Sequence, residues 1–109
     1  MQKHIITIGL FDKDSHKQEI KKPEVVETVI NTINNYGFCA TILTEGIYGI
    51  YQHDDGSKVI EPSIRVEIAG EMSFKILPLI HDLGSALNQE SIMWETTNEP
   101  IEFTHIEYK

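Results

Sequence analysis

The chain has 109 residues, 40% of them apolar and 24% charged, with 9 Lys and Arg against 17 Asp and Glu. One domain spanning residues 1–109 is expected at this length, and the composition excludes a disordered chain and, with one Cys, a disulfide scaffold. The net charge of −8 argues against direct binding of nucleic acid or an anionic membrane, both of which call for clustered Lys and Arg.

Residues 3–11, rich in Ile and Thr, predict a first strand. It ends in the polar loop Asp12-Lys13-Asp14-Ser15-His16. Pro23 suits the first turn of a helix, and Val26, Val29, Ile30, Ile33 and Tyr36 then recur at helical spacing. Gly37 predicts a left-handed C-terminal cap, with Phe38 reaching back to Ile33. Residues 38–52 read as a second strand in which Gly46 and Gly49 mark a bulge or twist. Asp54-Asp55-Gly56-Ser57 is a turn signal. Residues 59–69 alternate: Ile60, Pro62, Ile64, Val66 and Ile68 on one face, Glu61, Ser63, Arg65 and Glu67 on the other. Pro62 belongs near a strand start or on an edge. Ser73 is expected to cap a second helix with the stripe Ile76, Leu77, Ile80, Leu83 and Leu87, with Pro78 in or near its first turn. Residues 91–97, carrying Trp94, predict a fourth strand. Asn98-Glu99-Pro100 predicts a turn, and residues 101–108 a further strand.

This order predicts an α+β fold: a βαββαβ antiparallel sheet with two helices on one face, plus an extra C-terminal strand. It resembles the ferredoxin-like fold over residues 3–97, and that resemblance implies an architecture, not a function. A second resemblance rests on Gly46-Ile47-Tyr48-Gly49, Asp55-Gly56, Glu61-Pro62-Ser63 and Leu87-Asn88-Gln89-Glu90-Ser91-Ile92. This pattern is similar to one in small proteins of bacterial phages and mobile elements. It implies an accessory protein that acts by binding and disabling host components, and it brings no catalytic residue with it.

Three groups of residues are candidates for chemistry. Asp12 and Asp14 at the end of the first strand have the spacing of a carboxylate pair for a divalent metal. Some ferredoxin-like nucleases, the small dimeric CRISPR-associated ones among them, place an acidic residue there. A solvated loop is the plainer interpretation, because no basic surround or Gly-rich phosphate loop accompanies the pair. The second group is the polar row Glu61, Ser63, Arg65 and Glu67, with Tyr48 and Tyr51 from the preceding strand. It is a candidate recognition surface, a solvated sheet face with a cross-strand ion pair, or a face covered by a twin subunit. The third is Asn88-Gln89-Glu90-Ser91, which either lines a small polar site near Glu61 or caps the helix. His4, His16, His53, His81 and His105 include no pair at the i, i+4 spacing of a helical zinc site. Cys39 reads as a small core residue.

No apolar run approaches the roughly 20 residues that span a bilayer, and the start of the chain is too polar for a signal peptide. With the lone Cys, this predicts a cytoplasmic protein. A non-enzymatic role without a cofactor is the first expectation: binding of a protein partner, a basic host protein that handles nucleic acid or serves in defence, at Tyr48, Tyr51, Glu61, Ser63, Arg65, Glu67, Asn88, Gln89 and Glu90. A homodimer that binds a small molecule as a regulatory domain is the alternative. A divalent-metal nuclease using Asp12 and Asp14 comes last.

Overall fold

The computed structural model describes every residue except His53, Glu99, His105 and residues 107–109, and all side chains of the remainder except that of Tyr51. The elements run β1 (Gln2–Gly9), α1 (Lys22–Tyr36), β2 (Ala40–Leu43), β3 (Tyr48–Gln52), β4 (Lys58–Ala69), α2 (Ser73–Ala86) and β5 (Met93–Asn98). The sheet has the order β2-β4-β1-β5, every pairing antiparallel, with β3 added to β4. With β2 and β3 counted as one broken strand, this is the ferredoxin-like arrangement.

The break obeys the glycines. β2 and β3 run along the same strand, β4, but the register shifts between Leu43↔Arg65 and Tyr48↔Pro62. Four residues, 44–47, therefore lie opposite Ser63 and Ile64. Gly46 takes the excess with φ of 73°, and the Ser63 N–H donates to the Ile47 carbonyl at 2.8 Å, which holds the bulge closed. Gly56 supplies the positive φ in the following turn. Pro62 sits just before the β1 ladder begins at Ser63, so its missing N–H interrupts no pairing there. At about 3.3 Å per residue the 12 residues of β4 span ~40 Å. That fits only the long axis of a molecule measuring 55 × 27 × 25 Å.

Alternation decides what is buried. Ile6 and Ile8 of β1 and Ile64, Val66 and Ile68 of β4 face the helices and are fully buried. Val25, Val29 and Ile33 of α1 and Ile76, Leu79 and Leu83 of α2 close over them. Each such side chain contributes roughly 1.5–3 kcal/mol by leaving water. The stripes differ from expectation by a rotation. Val25 replaces Val26 and Ile30 is exposed; Leu79 replaces Leu77, which is exposed. Both helices carry more apolar residues than one face holds, so spacing alone chooses the wrong rows.

The cap of α1 is as expected: Gly37 is left-handed, and the N–H groups of Gly37 and Phe38 bond back to Asn34 and Ile33. The cap of α2 is not. Met72 holds the N-cap position, and the Ser73 N–H donates to Gln2 Oε1 at 3.1 Å, so a side chain from β1 does the capping. Cys39 is exposed rather than in the core. Residues 101–104 and Ile106 form no strand. The rest of the expected C-terminal strand, and Glu99 in the expected turn, lie outside the described residues. No described helix is long and apolar enough to cross a membrane.

Candidate functional site

Three segments meet at one end of the sheet: the chain leaving β1, the β3–β4 hairpin and the α2–β5 junction. Glu61 is the pivot. It sits on the sheet face opposite the helices, yet only 4% of its surface is exposed. Its Oε2 accepts the Phe11 N–H at 2.7 Å. Gly9 makes the burial possible, since a Cβ on that residue would lie 2.3 Å from Glu61 Oε1. Leu10 continues the approach, donating its N–H to the Pro62 carbonyl at 3.0 Å. A carboxylate held this far from water needs such donors, because burial without them is costly.

Around Glu61 a narrow cleft is lined by Gly9, Phe11, Lys13, Gln52, Gln89, Glu90 and Ser91. Gln89 closes its floor by donating Nε2–H to the Phe11 carbonyl at 3.0 Å. Glu90 reaches the hairpin, where its Oε1 accepts the Asp54 N–H at 2.7 Å. Lys13, Gln89, Glu90 and Ser91 also border a wider groove of about 590 Å³. That groove runs between α2 and β5, past His81, Ile92 and Trp94. A ligand entering it meets apolar and ring surface at one end and hydrogen-bonding groups at the other.

Asp12 and Asp14 face the same junction with their oxygens engaged. Asn88 is left-handed, with φ of 49°, and its Nδ2 donates to Asp12 Oδ1 at 2.7 Å and to Asp14 Oδ2 at 3.0 Å. Asp12 Oδ2 accepts the N–H groups of Asp14 and Ser15. The Asn88 amide, followed by the backbone donor at Asp14, holds the Asp12 carboxyl below the usual carboxylate range. The pair thus ties the 12–17 loop to the α2–β5 junction. Among the described residues no group of three or more His, Cys, Asp or Glu side chains could hold a metal ion.

The expected polar row divides. Glu61 and Ser63 are buried rather than exposed, because Gly9 and the bulge bring neighbouring backbone against them. Arg65 and Glu67 are half-buried farther along β4. Tyr48 does not share their face: it pairs with Pro62, on the opposite side of the ribbon from Glu61, and is 71% exposed. The Tyr51 backbone pairs with Val59, which puts its position on the Glu61 side of the ribbon; its side chain lies outside the described residues. Asn88, Gln89 and Glu90 do lie beside the Glu61 cleft. Gly9, Phe11 and Gln52 escaped sequence analysis. Only the strand-terminal Gly9 carried a signal, that of a close backbone approach.

No protein-family model matches the chain, and no curated protein matches it. Solved structures do share its shape. A phage SAM lyase in complex with S-methyl-5'-thioadenosine is 23% identical with a TM-score of 0.69, over 88% of this chain and 79% of that one. A phage SAM lyase in the apo state is 21% identical, with a TM-score of 0.61 over 99% and 92%. The divalent cation tolerance protein CutA1 of Thermus thermophilus is 15% identical, with a TM-score of 0.54 over 96% and 88%. At these identities the likeness shows the fold.

Proposed function

We propose that this chain binds S-adenosylmethionine in the cleft headed by Glu61 and cleaves it as a lyase, releasing S-methyl-5'-thioadenosine. The observation that carries this reading is the buried Glu61 carboxylate in a narrow cleft that shares Lys13, Gln89, Glu90 and Ser91 with a wider groove. It occurs in an acidic chain whose fold resembles that of phage SAM lyases. S-adenosylmethionine is a sulfonium cation, and a carboxylate in a poorly hydrated site attracts such a charge strongly. Gln89, Glu90 and Ser91 supply hydrogen-bonding groups for a ribose or purine edge, and Asn88 acts on them through the loop it anchors. In the cleavage the electron pair of one sulfur–carbon bond passes to sulfur and leaves a neutral thioether. The four-carbon fragment then completes its valence internally, by closing on its own carboxylate or by losing a proton, so no water or cofactor is consumed. Phage origin, suggested by the sequence resemblance, accords with this reading.

The test is incubation with S-adenosylmethionine followed by chromatography for S-methyl-5'-thioadenosine. The wild type should release it, and Glu61→Gln should lose about 100-fold in rate or more. Binding without turnover would reduce the reading to a small-molecule regulatory domain, and absence of binding would overturn it.

A second reading, binding of a protein partner, is favoured by one separate feature. Tyr48, Ile50 and Ile60 lie on one face of the β3–β4 hairpin and are 71%, 74% and 68% exposed. A two-stranded ribbon with an uncovered apolar face is a natural contact surface. A stoichiometric host partner lost on Ile50→Asp would shift the assignment to that reading.

A further inference from the structure

Two carboxylates line the cleft, those of Glu61 and Glu90, and among the described residues one cationic side chain faces them, that of Lys13. Lys13 also borders the wider groove, so it stands where the two spaces meet. Its backbone is fixed there. The Lys13 N–H donates to the Asn88 carbonyl at 3.1 Å, and the Asn88 amide ties down Asp12 and Asp14 on either side. The Lys13 side chain is exposed, and its ammonium closes no ion pair with a described residue. Its charge acts on Asp12 only as one of several influences that favour the carboxylate form.

We infer that the Lys13 ammonium takes the α-carboxylate of the ligand and makes the site selective for a sulfonium that carries an amino acid. The inference rests on the lyase reading above. Charge calls for such a residue. S-adenosylmethionine carries a sulfonium and an ammonium against one carboxylate. Its decarboxylated form keeps both positive groups and loses the negative one. In a −8 chain, Glu61 and Glu90 by themselves favour the more cationic ligand. The substrate carboxylate would meet like charge there, and a cation at the cleft reverses the order of preference. Lys13 is the described residue placed to supply it, through a charge-assisted hydrogen bond that offsets the lost hydration.

Calorimetric titration with S-adenosylmethionine and with its decarboxylated form tests the inference. The wild type should prefer the carboxylate-bearing compound by about 10-fold or more. Lys13→Gln should bring the two affinities together or invert their order. Lys17→Gln removes the same charge from the same loop, at an exposed position outside the cleft, and should leave the ratio unchanged. A wild type that binds the decarboxylated compound as tightly or more tightly would overturn the inference and leave the Glu61 cleft as the ligand site. So would a Lys13→Gln variant that keeps the wild-type ratio, or a ratio that moves equally in Lys17→Gln, which would assign the effect to bulk charge. Binding of neither compound would overturn the lyase reading and this inference with it.

Discussion

His4 and Glu61 are both buried polar residues on the same sheet, and they are buried in different ways. His4 lies on the helix-covered face with none of its surface exposed. The Trp94 indole N–H can only donate, so His4 Nδ1 accepts it at 3.1 Å, along with Thr96 Oγ1 at 3.0 Å. The other nitrogen, Nε2, therefore carries the proton and donates to the Glu71 carbonyl at 2.6 Å. That arrangement is a sealed joint between β1, β5 and the start of α2. Glu61 lies on the opposite face, buried by the absence of a side chain at Gly9, and it borders a cleft. A polar group enclosed by its own fold is structural. One enclosed at the edge of a cleft, with charge suited to a ligand, is a candidate for function.

Substitutions at the two sites should separate these roles. The largest effect on stability is expected from His4→Ala, which opens a cavity and strands the Trp94 N–H and the Glu71 carbonyl. Urea denaturation should register a loss of about 3 kcal/mol, and the folded fraction should bind S-adenosylmethionine as the wild type does. Gly9→Ala should do the reverse in emphasis. It pushes Glu61 from its place at a cost of about 1–3 kcal/mol, yet it should abolish ligand binding in molecules that remain folded. Calorimetric titration after a circular dichroism check measures both. If Gly9→Ala binds normally, the Glu61 position is irrelevant to the cleft.

A smaller effect sharpens the account of the loop beside the cleft. The Asp12 carboxyl is held low in the folded chain by Asn88, so its contribution to stability is present above the ordinary carboxylate range. It is lost as pH falls through the depressed folded value. Asn88→Gly keeps the left-handed backbone and deletes only the amide bonds. It should raise the Asp12 titration midpoint toward the ordinary range and speed amide exchange in residues 13–17 near neutral pH. Carbon-detected titration and hydrogen exchange read the two. An unchanged midpoint would show that the amide does not set the Asp12 charge.

Much of this was legible in the sequence because it depends on period and turn chemistry. The β4 alternation, the Gly37 cap and the Gly46 bulge all follow from local rules. What resisted was long-range. Capping of α2 by Gln2, across 71 positions of sequence, leaves no local mark. The burial of Glu61 depends on Gly9, which the topology rather than the sequence brings beside it. The polar row on β4 was correctly assigned to one face, but that face is solvated only where nothing approaches it. The helix rows were missed for a different reason: Val25 and Val26, or Leu77 and Leu79, are equally apolar, and only the docking angle chooses between them.

In our proposal the cleft at Glu61 receives a sulfonium nucleoside. The most direct measurement is a nuclear magnetic resonance titration of the ¹⁵N-labelled chain with S-adenosylmethionine, observing backbone amides. Saturable shifts concentrated at Gly9, Phe11, Gln89 and Ser91, and absent in Glu61→Gln, are the predicted result. Shifts confined to other parts of the chain, or no shifts at millimolar ligand, would contradict it.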